Sequence, residues 1–373
     1  MKRHLSHFLA LSLALSTTAL AETIELMGRV DRAAVVMELS VADDQMVSGR
    51  YFYRKYRRDI SLSGQRDRQG TISLCEGFDY AQGCKGLTLR PDGKGRWQGQ
   101  WHDGKAKRLS VELEPLRIEA RAEQTAVWPR AEQGSRYGWA RLEGLTFQQG
   151  RTETQQGRRL QWWSEPLSGI AVFRLVDGYP APALARLNRA LETRHWQLVA
   201  DALECTTSQG AAGLEAKATP KLLGETAVSI DIFTTYDCGG AHPDFTSQPL
   251  NLEVASGRTL ELGDLLWLGQ GKPLPQNLNG EMTEQWMKYS TAVQGPWIAK
   301  TMAQHYPKRM KEGDCYYNDP ELWNFPSWYL TPKGLYLGPS FPRALRSCEY
   351  PDWSVLPWSV VDRHRGAFKA KLP

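Results

Sequence analysis

The chain has 373 residues, with 46 basic and 41 acidic side chains and a formal net charge of +5 at pH 7. This length allows two domains with hydrophobic cores of their own. The near balance of charge argues against nucleic acid as the main partner, because proteins that bind nucleic acids carry a concentrated basic face. We therefore predict no nucleic-acid partner.

The first 21 residues have the pattern of a secretory signal peptide. Lys2 and Arg3 form a basic start, an apolar run covers residues 8–15, and Ala19-Leu20-Ala21 supplies a small-residue cleavage site. The apolar run is too short to span a bilayer. The sequence therefore predicts a periplasmic protein that begins at Glu22 and has no transmembrane anchor after cleavage.

Residues 22–117 have the pattern of an all-β domain. Short runs that alternate apolar with polar positions recur about every ten residues, at 35–41, 47–53, 59–63, 70–75, 87–89 and 96–101. Turn sequences rich in glycine and aspartate separate these runs. This spacing predicts an antiparallel β-meander, either a sandwich or a small barrel.

Four aromatic residues of this domain allow two interpretations. Tyr51, Tyr53, Trp97 and Trp101 all lie on predicted strands. Aromatic residues suit strands, so we favour a place in the core. The alternative is a surface that stacks on sugars. The runs at residues 49–53, 62–64 and 95–101 together resemble a β-meander of other secreted bacterial proteins, and this resemblance implies no activity.

Residues 118–159 are predicted to be a connecting segment with short strands, and residues 160–373 to be a second domain. A helix is expected from Pro182, which suits a first turn, to Cys205. Its apolar face follows helical spacing and comprises Leu184, Leu187, Leu191, Leu198 and Ala202.

The stretch 236–244 connects two strand-like runs, residues 227–235 and residues 249–254. Gly239 and Gly240 permit positive φ, and Pro243 fixes its own φ. We therefore predict a hairpin-like connection in which these three residues shape the turn.

Two helical regions and a largely antiparallel sheet are predicted for the second domain. Apolar residues at helical spacing around Trp286 and Met302 extend the helical content beyond the first helix. A hairpin is expected at residues 328–337, and a last strand at residues 353–361. Together these elements predict an α+β fold.

The six cysteines predict disulfides, because the count is even and the chain is expected to be exported. Locality in the sequence favours three pairs, Cys75 with Cys84, Cys205 with Cys238, and Cys315 with Cys348. A zinc site is the alternative, but it needs short C-x₂₋₄-C spacings that the sequence lacks.

Residues 165–365 resemble the RsiV-like family, the exported ectodomains of anti-sigma factors that sense lysozyme. The resemblance lies in Tyr179-Pro180, in the Gly-Gly-Ala-His-Pro of residues 239–243, and in residues 250–266, 328–336 and 356–360. It implies an α+β module of the cell envelope that binds lysozyme or cell wall. The chain departs from the anti-sigma pattern, because a cleavable signal replaces the cytoplasmic domain and membrane helix. Direct control of a sigma factor is therefore not expected.

Two stretches supply the candidate ligand-binding residues. In the turn they are His242, Asp244 and Tyr236, and in the aromatic segment 316–328 they are Tyr317, Trp323 and Trp328. We favour a structural role for the histidine within the turn, followed by ligand contact and then by catalysis. The aromatic segment is interpreted first as a loop that is held by Cys315 and packed on the sheet. Its alternative is a surface for sugars or proteins.

We therefore expect a non-catalytic periplasmic protein that binds a lysozyme-type hydrolase or a peptidoglycan fragment. No cofactor and no metal are expected, because one histidine with scattered carboxylates is not a metal-ligand motif. The alternative function is a cell-wall hydrolase that uses His242 and nearby carboxylates. A third reading is an inhibitor of an exogenous lysozyme.

Overall fold

A computed structural model describes residues 22–77, 83–118, 135–205, 213–278 and 281–373. The predicted signal peptide lies outside these ranges, as do residues 119–134 of the predicted connecting segment. Contacts divide the chain into two units, Met1–Arg117 and Ile118–Pro373, which are described separately. No helix within the described ranges combines the length and the apolar character needed to cross a membrane.

In the described part of the first unit there are eight strands, and each pairs antiparallel with the next. Their alternating apolar and polar residues give the period of two that a sheet with one buried face requires. The strands are β1 Glu22–Val30, β2 Ala33–Val41, β3 Met46–Tyr53, β4 Ile60–Arg66, β5 Ile72–Glu76, β6 Gly86–Pro91, β7 Trp97–His102 and β8 Arg108–Pro115.

The sheet closes into a barrel, because β1 pairs with β8 as well as with β2. Of the two predicted architectures, the small barrel is therefore the one observed. The sequence analysis identified strands between residues 35 and 101 and missed β1 and β8, the two that close the sheet. Closure leaves no unpaired edge that could recruit another strand.

Apolar side chains of alternate strand positions fill the barrel. Tyr51 and Trp101 are buried, and Tyr53 and Trp97 pack against the core from partly buried positions. The predicted core role of these aromatics is thus observed. Gly86 allows a close strand approach, since a Cβ there would lie 1.9 Å from the carbonyl oxygen of Leu74.

A carboxylate is held inside one end of the barrel. Glu76 accepts hydrogen bonds from the Tyr51 hydroxyl at 2.5 Å and from Trp101 Nε1 at 2.7 Å. Its other oxygen lies 2.6 Å from Lys85 Nζ. The Glu76 side chain is 8 % exposed, and a charge that is largely removed from water requires such partners. The Cys75–Cys84 disulfide lies directly beside it in the chain.

Among the described residues of the second unit, helix α1 (Arg136–Leu142) comes first and is followed by a three-stranded antiparallel sheet. The sheet order is β11-β10-β9, with β9 at Gln148–Gln155, β10 at Arg158–Ser164 and β11 at Ala171–Leu175. The division predicted between residues 159 and 160 falls inside β10, which pairs with strands on both sides of it.

Helix α2 (Ala181–Glu204) has the position and the apolar face that the sequence predicts. Leu187, Leu191 and Leu198 are buried in one core cluster with Val172 of β11. Pro182 lies in the first turn, where its missing N–H costs no hydrogen bond. Cys205 ends the helix, with its N–H donating to the Asp201 carbonyl oxygen.

A second sheet contains β12 (Leu214–Leu223), β13 (Ala227–Tyr236), β14 (Asp244–Ser247) and β15 (Leu250–Glu253). Both β14 and β15 pair with β13. The predicted hairpin is present, but its return strand begins at Asp244 instead of residue 249. Pro249 has no N–H to donate, so the return strand is interrupted there.

The two faces of β13 have different partners. Val228, Ile230 and Ile232 are buried in the same cluster as α2. Ser229 and Phe233, on the opposite face by the period of two, meet other elements. The Ser229 hydroxyl accepts from the Leu330 N–H at 2.9 Å. This opposite face carries the candidate site described below.

The remaining chain combines short helices with small strand pairs. Its helices are α3 Leu262–Leu265, α4 Glu284–Tyr289 and α5 Gly295–His305, with a π-helical turn at Ser290–Gln294, α6 Trp358–Val361, and 3₁₀ turns Pro320–Trp323, Arg343–Cys348 and Asp362–His364. Its strands are β16 Asn277–Leu278, β17 Glu281–Met282, β18 Lys311–Glu312, β19 Cys315–Tyr316, β20 Ser327–Thr331, β21 Gly334–Gly338 and β22 Val355–Pro357.

The hairpin expected at residues 328–337 is formed by β20 and β21. The last strand, expected at residues 353–361, is shorter than predicted. It ends at Pro357, which cannot donate to a ladder and whose φ suits the start of a helix, so the chain continues as α6. The unit is nevertheless α+β with mostly antiparallel pairing.

All three predicted disulfides are present, between Cys75 and Cys84, Cys205 and Cys238, and Cys315 and Cys348. No described cysteine is free. Such bonds persist in oxidising compartments, so the cysteine chemistry fits an exported protein.

His195 of α2 is a buried titratable group of the second unit. Its ring stacks on Phe147 with the centroids 4.0 Å apart. Nε2 lies 3.0 Å from the Ile170 carbonyl oxygen, and Nδ1 lies 3.4 Å from the Arg174 guanidinium. Nε2 therefore donates and Nδ1 accepts, which describes a neutral imidazole. Burial lowers the pKa of His195 to about 3.

The stability of the protein is expected to depend on this histidine in acid. Its folded-state pKa lies below the ordinary 6.5, so below pH 6.5 the unfolded chain binds a proton that the folded chain does not. The free energy of unfolding should fall by about 2 kcal/mol between pH 7 and pH 5 from this group. Urea unfolding should show a smaller fall for His195→Gln; equal falls in both proteins would contradict the assignment.

Candidate functional site

The turn between β13 and β14 is fixed from both ends. Tyr236 and Asp244 face each other as the last antiparallel pair. Gly239 has a φ of +78°, a left-handed conformation that glycine adopts without strain. The Asp237 carboxylate accepts from the Gly239 N–H at 3.2 Å. The disulfide from Cys238 to Cys205 ties the turn to the end of α2.

His242 lies exposed in this turn. No described residue lies within hydrogen-bonding distance of its ring, so a hydrogen bond from His242 to the Gly239-Gly240 backbone, which its expected structural role would involve, is not observed. Asp244 is instead engaged elsewhere, because its carboxylate lies 3.1 Å from the Arg346 guanidinium. The described residues therefore do not join His242 and Asp244 into a hydrogen-bonded pair.

The aromatic segment 316–328 contributes mostly to the core. The side chains of Tyr317 and Trp323 are 3 % and 0 % exposed. Trp323 Nε1 donates to the Tyr317 carbonyl oxygen at 2.9 Å, and the Tyr317 hydroxyl donates to the Cys348 carbonyl oxygen at 3.0 Å. These two residues hold the loop from within, as the packed-loop interpretation predicts. Trp328 is half-buried on β20.

Three aromatic rings and one guanidinium form a surface beside the turn, here called the aromatic–arginine patch. Phe233 lies 5.7 Å from both Phe245 and Tyr350, measured between ring centroids, and Phe245 lies 6.1 Å from Tyr350. The Arg346 guanidinium lies 5.0 Å from the Phe245 ring centre. All four side chains are partly exposed.

The patch is held in one geometry by polar contacts. Arg346 donates to Asp244 and to the Phe245 carbonyl oxygen, and it pairs with Glu349 at 3.2 Å. The Tyr350 hydroxyl accepts from the Ser247 N–H at 3.0 Å. Tyr350 has a φ of +61°, a left-handed conformation that costs a bulky residue roughly 1–3 kcal/mol. Burial raises the pKa of its hydroxyl, which therefore stays protonated.

A polar cluster adjoins the patch on the same face of β13. The Ser247 hydroxyl donates to Asp231 at 2.6 Å, and Lys221 Nζ lies 3.3 Å from the same carboxylate. Lys221 also lies 4.7 Å from the Tyr329 ring centre, and Tyr329 stacks on Tyr336 at 4.1 Å. Burial raises the pKa of both tyrosines. The charges of Lys221 and Asp231 cancel, so the cluster has no net charge. It presents hydroxyl groups and aromatic rings.

This arrangement suits recognition. Rigid aromatic rings supply contact area and lose little conformational entropy on binding. A fixed guanidinium adds hydrogen bonds of defined direction. Within the described ranges, no group of three or more histidine, cysteine or acidic side chains is placed to hold a metal ion.

Four residues of the patch were not predicted from the sequence, namely Phe233, Phe245, Arg346 and Tyr350. The alternation along β13 could have placed Phe233 on the face opposite Ile232. No sequence signal brings Arg346 to Asp244, because 102 residues separate them. The predicted Cys315–Cys348 disulfide was the nearest clue, since it fixes the segment that carries Arg346 and Tyr350.

No protein-family model matches this sequence, and no curated protein is significantly similar to it. Fold and surface chemistry are therefore the grounds for a functional proposal. They define a disulfide-bonded α+β chain with an N-terminal closed barrel and a preformed aromatic–arginine patch.

Proposed function

We propose that the protein is a non-catalytic recognition protein of the bacterial cell envelope, located in the periplasm. It binds a lysozyme-type hydrolase through the aromatic–arginine patch, and a peptidoglycan fragment is the second candidate ligand. The observation that carries this proposal is the mutual packing of Phe233, Phe245 and Tyr350 at a partly exposed surface, with the Arg346 guanidinium over the Phe245 ring.

The composition of the patch favours a protein partner. Tyrosine and arginine are enriched among residues that dominate binding energies at protein interfaces. Arg346 is preorganised by Asp244 and Glu349, so little side-chain entropy is lost on binding. The Cys205–Cys238 and Cys315–Cys348 disulfides hold the two chain segments that meet at the patch. The RsiV-like resemblance of residues 165–365 supports the same class of partner.

Phe245→Ala is expected to weaken binding of a lysozyme at least tenfold, because it removes the ring that both Phe233 and Arg346 contact. Calorimetric titration of residues 22–373 with lysozyme measures this effect. Tyr56→Ala is the matched control, since Tyr56 is an exposed aromatic of the first unit, 53 % accessible. Equal losses in both variants, or no binding by the native chain, would reject the proposal.

A turnover assay distinguishes the alternative function, a cell-wall hydrolase that uses His242, from the recognition function. Purified residues 22–373 are incubated with peptidoglycan and the soluble products are measured. Release of fragments that His242→Ala abolishes, with unchanged thermal stability, would establish the hydrolase and displace the recognition proposal. We expect no release from either protein.

A further inference from the structure

The outer surface of the barrel contains a cavity of about 760 Å³ over β6, β7 and β8. This volume lies in the range of small-molecule binding sites. Polar side chains of the three strands line it, namely Thr88, Arg90, Gln98, Gln100, His102 and Arg108. Strands position such groups more rigidly than loops do.

The shape of the cavity follows from strand geometry. Trp97 and Trp101 of β7 pack toward the barrel core, so Gln98, Gln100 and His102 point outward by the period of two. Gly99 lies between them, and a Cβ there would approach the Thr88 carbonyl oxygen to 1.8 Å. Only glycine permits this close approach of β7 to β6.

The cavity is rich in hydrogen-bond donors. Within the described ranges, no partner lies at hydrogen-bond or ion-pair distance from the Arg90 or Arg108 guanidinium. The acidic lining residue, Asp92, is engaged by the backbone N–H groups of Lys94 and Arg96 at 2.7 and 3.0 Å, contacts that lower its pKa. Two exposed arginines and one ionised carboxylate therefore line the cavity, and neither guanidinium forms an ion pair with a described residue.

A second cavity of about 580 Å³ adjoins the first along the barrel wall. The two share Gln98, and the second adds three arginines, Arg29, Arg32 and Arg96, and two carboxylates, Glu112 and Glu114. Arg29 is already paired with Glu112 at 3.2 Å. Three arginines against two glutamates leave this lining with a small positive charge. The polar surface therefore extends beyond the length of one small ligand.

We infer that this wall of the barrel is a binding site for an anionic saccharide, a sugar chain that bears carboxylate or phosphate groups. The guanidinium groups of Arg90 and Arg108 bind the anionic groups through charge-assisted hydrogen bonds. The amides of Gln98 and Gln100 both donate and accept, which matches sugar hydroxyls. This site is separate from the aromatic–arginine patch and does not depend on the function proposed for it.

Calorimetric titrations of residues 22–373 test the inference with three sugars: trigalacturonate for carboxylate, glucose 6-phosphate for phosphate, and neutral maltotriose. At least one anionic sugar is expected to bind, and maltotriose is expected to bind at least tenfold more weakly. Arg90→Gln should weaken binding of the anionic sugar by roughly tenfold or more, because a hydrogen bond to a charged group is lost. Gln100→Ala should weaken it in the same direction.

Arg68→Gln is the matched control, because Arg68 is an exposed arginine outside both cavities and its loss changes the net charge equally. The affinity of the Arg68→Gln variant for the anionic sugar is expected to stay within about twofold of the native value. The inference is overturned if neither anionic sugar binds, if maltotriose binds as well as they do, or if Arg68→Gln weakens binding as much as Arg90→Gln. All of the changed side chains lie at the barrel surface, and thermal unfolding checks that each variant is folded.

Discussion

Trp323→Ala is expected to lower the free energy of unfolding by about 3–5 kcal/mol. The Trp323 side chain is 0 % exposed and packs in the core cluster that includes Tyr317 and Leu322. Its removal leaves a cavity and also deprives the Tyr317 carbonyl oxygen of the indole N–H that it accepts at 2.9 Å. Urea unfolding followed by far-ultraviolet circular dichroism measures the loss.

Phe325→Ala is the control for this substitution. Phe325 lies two residues away in the same aromatic segment, but 43 % of it is exposed, so its replacement should change stability by less than about 1 kcal/mol. Similar losses at both positions would show that the burial of this segment has been assigned wrongly.

The paired substitution Cys205→Ser and Cys238→Ser is expected to cost about 4 kcal/mol of stability. The bond closes a chain segment with a sequence separation of 33 residues, and its loss returns that loop entropy to the unfolded chain. It also frees the turn between β13 and β14 from the end of α2. Amide hydrogen exchange in residues 237–243 should therefore accelerate in the folded protein.

The Cys315–Cys348 bond provides a matched comparison, because its sequence separation is also 33 residues. Cys315→Ser with Cys348→Ser should cost a similar amount of stability, yet leave exchange in residues 237–243 unchanged. Faster exchange of that turn in both paired variants, or in neither, would contradict the anchoring role assigned to Cys205–Cys238.

Sequence patterns predicted those parts of the fold that local rules determine. The apolar face of α2, its end at Cys205 and the β20–β21 hairpin all depend on residues close together in the chain. Barrel closure does not, because Val30 of β1 pairs with Val111 of β8 across 81 residues. Period-two alternation is compatible with a sandwich or a barrel, so only the pairing of the first and last strands decides between them.

Proline accounts for the end of the last strand. Pro357 ends β22 just before α6, because a residue without an N–H cannot continue the ladder. Weighting proline more strongly than hydrophobic alternation would have predicted this boundary. The strand β14, Asp244–Ser247, was missed for a different reason, since it is only four residues long and largely polar.

The candidate site was predicted in part. Asp244 and the turn at Gly239 do lie at the site, whereas the partners that complete it, Arg346 and Tyr350, come from more than 100 residues further along the chain. The dense aromatic segment 316–328 indicated the binding site less reliably than the turn did. Tyr317 and Trp323 occur there because they fill the core, and sequence alone does not distinguish buried rings from exposed ones.

Hydrogen–deuterium exchange of residues 22–373 with and without a bound lysozyme tests the proposed recognition function most directly. The patch predicts slower exchange in residues 233–247 and 343–350 on binding, and no change in the barrel strands. Protection confined to other segments, or no protection at a lysozyme concentration that saturates the native chain, would contradict the assignment of the aromatic–arginine patch as the binding surface.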